Sequence, residues 1–383
     1  MIYFFHNYSL ILYKKRADLF VQTKINIKIL VAPLDWGLGH ATRCIPLVNE
    51  LLKLGCKVVI AAEGVQENLL KQEFPDLVFV HLPGYRIKYS SNERFFSLKI
   101  ILQLPKIFFA VRKEKRWLKN FTSHTPVDAV ISDNRYGFRC NNLPCFFITH
   151  QLLIKAPFSF AEKILQRVNY ALIQKFTACW VPDDKGRINL GGELSHPTHL
   201  PEIPVHYLGG LSRLTKRDDC EIAFDLLVIL SGPEPQRTLL EKKMLKQLEA
   251  FAGTVLLVRG LPGQEQLPML RKNITIKNHV GSKELEAAFS ASELIICRSG
   301  YTTLMDICKL QKKSILIPTP GQTEQEYLAR HFEKQGWSVT VSQQNFSLQK
   351  VLLKAKNFEY KLPQLDMHCY KSVMEEFVRK LTL

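Results

Sequence analysis

From Ile25 onward, short apolar runs alternate with longer amphipathic ones, which is how buried parallel strands covered by helices are written. The apolar runs predict strands over 27–32, 57–62, 77–82, 129–132, 145–149 and 180–182, the last closing a first α/β unit, with an initial helix over 41–54. Residues 191–211 are rich in Gly, Pro and His and carry neither the helical nor the strand period, so they read as the connection between two domains. A second series of runs predicts strands over 225–230, 254–258, 294–297 and 314–317, with a final helix over 371–381. The expected organisation is α/β, with two Rossmann-like domains facing an interdomain cleft. An appendage occupies 1–24, a first domain 25–205, a linker 206–221 and a second domain 222–383.

Composition narrows the classes. With 46% apolar and 23% charged residues over 383 positions, the chain can bury a sizeable core, and disorder is excluded. No apolar run reaches the roughly 18 residues that a membrane-spanning helix needs. In residues 1–24 the cationic group Lys14-Lys15-Arg16 follows the apolar part, the reverse of a signal peptide. Nine cysteines without a C-x-x-C pair argue against a disulfide framework or structural zinc and for a reducing cytoplasm. The formal charge of +17 asks for an acidic partner or surface.

Three strand-to-helix turns could carry chemistry. Asp35-Trp36-Gly37-Leu38-Gly39-His40-Ala41-Thr42-Arg43 joins the first strand to the first helix. Gly37 and Gly39 permit a tight turn, and His40 at the helix start is placed to accept a proton from an attacking hydroxyl. Gly37-x-Gly39 with Glu63 beyond the next strand also admits a weak dinucleotide fingerprint, with Thr42 where its third glycine belongs. In the second domain, Arg298-Ser299-Gly300 opens into a helix, so free amides and the hydroxyls of Ser299 and Thr302 can surround a phosphate. Asp306, one turn further on, is expected to face the cleft and accept from two ribose hydroxyls. The third turn, 317–327, brings Gln322, Gln325 and Glu326 toward the same cleft, although a capping box of Thr323 and Glu326 explains part of it. Ser231-Gly232-Pro233 adds a close backbone approach at Gly232.

Taken together, Gly37-Leu-Gly-His40, Cys297-Arg-Ser-Gly-Tyr-Thr-Thr-Leu-Met-Asp306 and the 318–327 loop resemble glycosyltransferase family 28, the MurG-like UDP-N-acetylglucosamine transferases. The resemblance is strongest over 226–336 and implies a GT-B fold with inverting transfer of a hexose or N-acetylhexosamine from a UDP-sugar. It implies no cofactor and no obligatory metal. On the matching positions, His40 lies near the reacting centre, while His279 and Val280 match the pair that contacts the uracil. Ser299, Gly300 and Thr302 match the diphosphate turn, Asp306 the ribose acid and Gln325 the first donor-sugar glutamine. Asp306 is shorter than the family's Glu, and Glu326 stands where a second Gln belongs. A UDP-sugar 2-epimerase of the same fold, a non-catalytic nucleotide-sugar-binding protein at a membrane surface and a dehydrogenase are the rival readings.

On the acceptor side, Asp133-Asn134-Arg135 and His150 each follow a strand and should project beside His40, with Asp133 either orienting the base or sharing its role. Residues 86–119 hold ten Lys/Arg against two Asp/Glu, interleaved with Phe95, Phe96, Phe108 and Phe109. Such a segment suits an anionic membrane surface, and the family resemblance implies a lipid-linked hydroxyl acceptor, so the expected location is the cytoplasm, at the inner face of the cell membrane. An ordinary sheet-covering helix with a solvated basic side is the alternative, and nucleic acid is disfavoured because the aromatics form no stacking platform.

Overall fold

The computed structural model describes residues 26–86, 103–156, 158–217, 220–262, 264–268 and 271–382. The expected appendage at 1–24 and the stretch 87–102 of the basic segment lie outside the described residues.

Seven parallel strands form the first sheet: β1 (Lys28–Pro33), β2 (Lys57–Ala62), β3 (Val78–His81), β4 (Ala129–Asp133), β5 (Cys145–Ile148), β6 (Ala178–Val181) and β7 (Val205–Tyr207), in the order 3-2-1-4-5-6-7. Their runs are continuously apolar because helices cover both faces. One face carries α1 (Leu38–Lys53) and α2 (Gly64–Glu73), the other α3 (Leu104–His124) and α4 (Ser159–Ile173). Strand order reverses between β1 and β4, where Pro33 pairs with Asp133, and a crevice opens beyond their carboxyl ends. That reversal brings the turn after β1, with His40, against the end of β4.

The second sheet repeats the plan with β8 (Phe224–Ile229), β9 (Val255–Val258), β10 (Ile274–Lys277), β11 (Ser292–Cys297), β12 (Lys313–Leu316) and β13 (Val339–Thr340), in the order 10-9-8-11-12-13. Its helices are α5 (Gln236–Leu248), α6 (Ser282–Ser290), α7 (Tyr301–Leu310), α8 (Thr323–Lys334) and α9 (Leu348–Lys356), and α10 (Cys369–Leu381) ends the fold.

Two sequence expectations need correction. The segment 191–211 is not all connection: β7 lies within it and extends the first sheet beyond β6, so the strand near 180–182 does not close that unit. Three residues cannot display a period, nor can the two of β13, and β10 (Ile-Thr-Ile-Lys) is interrupted by polar residues and forms no apolar run. In addition α10, although it follows the second sheet in the chain, packs on the first. The Phe377 ring stands edge-on at 4.8 Å from Phe146 and 5.2 Å from Trp180. The chain thereby crosses the cleft twice. Phe377→Ala is expected to cost about 3–5 kcal/mol of stability through the cavity it leaves, read as a lower urea midpoint; an unchanged midpoint would mean the helix is not docked there.

Candidate active site

The turn into α1 runs through Gly37 at φ 78, a left-handed conformation that glycine adopts without strain. His40 follows on the first turn of α1, and Arg43 lies three residues on, on the same face. Both meet Asp133, whose side chain has no exposure at all. Arg43 Nε donates to both Asp133 oxygens at 3.0 and 2.9 Å, and Arg43 Nη2 also bonds Oδ1. His40 Nδ1 lies 3.2 Å from Asp133 Oδ2 and 2.9 Å from Arg43 Nη2. Burial alone would raise the Asp133 carboxyl, but Arg43 and then His40 hold it down to about 2. Burial, and next the Arg43 charge, lowers the His40 imidazole, which keeps it neutral near pH 7. Arg43 is a residue to which sequence reasoning gave no role, although its spacing from His40 was the available signal.

The cluster continues into the second domain. Arg43 Nη1 lies 3.0 Å from His150 Nδ1. Since a guanidinium only donates, His150 Nδ1 accepts, and its Nε2–H donates to Glu324 Oε1 at 2.7 Å. Gln151 Nε2 donates to the other Glu324 oxygen at 2.5 Å. The His150 ring is stacked 4.0 Å from that of Tyr301, whose hydroxyl donates to the Pro182 carbonyl at 2.9 Å. Thr302 Oγ1 donates to the Gly39 carbonyl at 3.1 Å, and Thr323 Oγ1 to that of Lys155 at 2.9 Å. The first turns of α7 and α8 therefore rest on the strand ends of the first domain. Glu324 lies within the 317–327 turn, yet nothing in the sequence assigns it a part, because its partners stand 174 and 173 positions away.

The donor-side residues divide into groups that remain open and groups already engaged. Gly300 caps α7 without any side-chain hydrogen bond to the helix amides, and a Cβ there would meet nothing within 4 Å. Gly39 is different, since its Cβ would come within 2.9 Å of Thr302 Oγ1. Gln322 Oε1 and, across the cleft, Asn134 Oδ1 are buried without a hydrogen-bond partner, and Asn134 sits at φ 58. Ser299 is buried and donates to the Gln325 carbonyl at 2.8 Å, while Gln325 Oε1 accepts from the Thr319 amide at 2.9 Å. Glu326 accepts from the Gly321 amide at 2.9 Å, so it does not form the expected box with Thr323. Gly232, at φ 100, approaches Thr319 Oγ1. Val280 is buried, and His279 is half-buried with its imidazole lowered by burial and then by Arg213. Glu63, the acid of the dinucleotide reading, is held by Arg86 at 2.7 Å and by the Gly84 amide at 2.7 Å.

Besides the buried Ser299 and Gln325, three further expected positions do not lie open in the cleft. Arg298 is wholly buried. Its Nη atoms donate to the carbonyls of Ile317, Pro318 and Gln236 and to Gln343 Oε1, tying together the loops that follow β11 and β12 and the start of α5. Burial lowers its pKa to about 10. Arg135 is likewise buried, bonded to Glu114 at 2.6 Å and to the carbonyls of Pro33 and Pro83. Asp306 is only 7% exposed, and its Oδ1 accepts from Ser212 Oγ at 2.6 Å in the interdomain linker. Residue spacing places a side chain on a helix face but says nothing of a linker folding over it.

A model of the glycosyltransferase family 28 C-terminal domain matches residues 235–378. The matched segment is a family 28 C-terminal domain. The chain is 23% identical over 334 residues to the UDP-N-acetylglucosamine--N-acetylmuramyl-(pentapeptide) pyrophosphoryl-undecaprenol N-acetylglucosamine transferase of Caldanaerobacter subterraneus, covering 78% of this chain and 82% of that one. It is equally similar, at 23% over 345 residues, to an uncharacterized glycosyltransferase of Methanosarcina acetivorans, covering 82% and 86%. Among solved structures, Acinetobacter baumannii MurG superposes with a TM-score of 0.51 at 15% identity, covering 93% of this chain and 99% of that one. Spinosyn rhamnosyltransferase SpnG gives 0.60 at 14% identity, covering 93% and 96%. These likenesses show the fold expected from the sequence, the two-domain GT-B architecture.

Burial raises the Asp306 carboxyl from its usual 3.8 to about 6, so the folded protein binds this proton more tightly than the unfolded chain. Its contribution is therefore lost as pH rises through that window, by up to about 3 kcal/mol. Asp306→Asn retains an acceptor for Ser212 and should lack this decline. Urea unfolding of parent and variant at about pH 4 and about pH 7 isolates it as a difference between the two proteins.

Proposed function

We propose that this family 28 glycosyltransferase moves a hexose or N-acetylhexosamine from a UDP-sugar to a hydroxyl acceptor, with inversion at the transferred carbon. The observation that carries the reading is the Thr302–Gly39 hydrogen bond, which brings the uncapped start of α7 beside His40. One groove thus combines amides suited to a diphosphate with an imidazole suited to a hydroxyl proton.

In this reading the acceptor oxygen attacks the sugar from the first-domain side, and its proton passes to His40 Nε2. A lone pair is available on Nε2 only in the tautomer whose Nδ1–H donates to Asp133 Oδ2 at 3.2 Å; in the other, Nδ1 accepts from Arg43 Nη2 at 2.9 Å and Nε2 carries the proton. Asp133, with no exposed oxygen and a carboxyl held at about 2, orients the ring and is a poor base. The bond from sugar carbon to phosphate oxygen breaks, and its electron pair leaves with UDP. Amides at the α7 start stabilise the growing diphosphate charge. Thr302 would exchange the Gly39 carbonyl for a phosphate oxygen, and Asp306 would exchange Ser212 for ribose hydroxyls, which donate in the same way. Gln322 and Asn134 supply unsatisfied acceptors for sugar hydroxyls.

For the acceptor, the named relative's pyrophosphoryl-undecaprenol substrate supports a lipid-linked hydroxyl. The outer face of the α3/α4 layer suits a membrane surface. Phe108, Phe109 and Phe158 are exposed there, together with Phe160, Ile164 and Val168 at four-residue spacing along α4. Arg112, Lys115, Arg116 and Lys119 line a basic depression on α3. Inward, Leu118 and Ile173 still cover the sheet, so this layer serves both faces. Among the described residues no helix is long and apolar enough to cross a membrane; in this reading the contact is peripheral, through the α3/α4 face, on the cytoplasmic side.

A thermal-shift screen of UDP-, GDP- and TDP-sugars should single out the UDP series. His40→Ala should keep that shift while losing ~10²- to ~10⁴-fold in UDP release from UDP-N-acetylglucosamine, and unchanged release would remove the base role. For the surface, a variant with Arg112, Lys115, Arg116 and Lys119 neutralised and Phe160 and Ile164 changed to Ser should stay in the supernatant when anionic liposomes are sedimented. Pelleting equal to the parent's would exclude this face.

A further inference from the structure

Glu324 opens α8 on the second domain, yet both of its oxygens are bonded to consecutive residues at the end of β5 on the first, His150 at 2.7 Å and Gln151 at 2.5 Å. His150 has its other nitrogen on Arg43 at 3.0 Å, and Arg43 holds Asp133 through Nε and Nη2. The hydrogen bonds run in one direction, from Arg43 to His150 to Glu324, because a guanidinium cannot accept and a carboxylate cannot donate. Tyr301, also from the second domain, stacks on the same imidazole at 4.0 Å. When the domains separate, His150 loses its carboxylate and its ring partner together. Arg43 Nη1 is then met by an imidazole that no longer has its own anchors, while Nε and Nη2 still hold Asp133.

Resting on the transfer reading above, we propose that Glu324 is a positioning residue through which contact between the domains aligns the His40–Asp133 pair. The second domain thereby brings both the donor site and the last anchor of the base, and His40 is aligned for proton removal only when the donor domain is docked. Glu324 precedes Gln325 in the same helical turn, so the segment expected to sense the donor sugar also carries the anchor.

The test uses the full chain with UDP-N-acetylglucosamine as donor and water as acceptor, where UDP release requires removal of a water proton. In Glu324→Ala, kcat is expected to fall by ~10- to ~100-fold while KM for the donor stays within about twofold, as for a misplaced catalytic group. Glu324→Gln, which can still accept from His150 Nε2–H while Gln151 turns its amide oxygen inward, should recover most of kcat. A parental kcat in the alanine variant, or a glutamine variant as slow as alanine, overturns the proposal. Irrespective of turnover, nitrogen-15 histidine spectra should show a protonated, slowly exchanging His150 Nε2 in the parent and in Glu324→Gln but not in Glu324→Ala. An unchanged His150 signal in the alanine variant also overturns it. If His40→Ala releases UDP as fast as the parent, the transfer reading itself falls. If His40→Ala is inactive and Glu324→Ala is parental, that reading stands and only the role of Glu324 is lost.

Discussion

The buried ion pair of Arg43 and Asp133 is the constraint around which the molecule is arranged. Asp133 has no exposure and Arg43 almost none, so neither charge could persist there alone. Removing either partner of such a pair typically costs about 3–5 kcal/mol, because the survivor is left buried and uncompensated. A pair of well-packed apolar residues would serve stability as well, which makes geometry the better account of its presence. It joins the first helix to the fourth strand at the point where strand order reverses, and it leaves His40 on the rim with one nitrogen committed to the interior.

The donor domain follows the complementary principle. Its polar side chains near the cleft mostly brace loops: Arg298 gathers three carbonyls and a glutamine oxygen, Ser299 donates to the Gln325 carbonyl, Gln325 holds the Thr319 amide, and Glu326 holds Gly321. At the start of α7 the capping residue is Gly300, which has no side chain to occupy the first helical amides. Backbone amides fixed in this way need little reorganisation when charge develops on a leaving group, whereas flexible side chains would first have to be ordered.

The two domains also share structure that neither would hold alone. Helix α10 returns to the first sheet after the second is complete, and Tyr301, Thr302, Thr323 and Glu324 reach across in the other direction. Contact from both sides makes the relative placement of the domains a determinant of the site's geometry. The outer α3/α4 face is independent of this contact: exposed phenyl rings beside a basic stripe are costly in water and useful only against another surface.

By itself, the sequence determined the two-domain α/β architecture, most strand positions, the glycine turn that presents His40 and the family of the second domain. Each is written in local signals, whether apolar runs long enough to show burial, a turn that only glycine enters or a contiguous motif. Strands β7 and β13 escaped because three and two residues hold no period, and β10 because its Ile-Thr-Ile-Lys sequence is no continuous apolar run. Tertiary structure alone decided that His40, Arg43 and Asp133 form one cluster with His150 and Glu324, that Arg298 and Arg135 are interior braces, and that the linker covers Asp306. Those outcomes depend on which side chain from a distant segment arrives to share a buried space. Desolvation then forces each polar atom to take whatever partner is within reach, and no spacing along the chain records that choice.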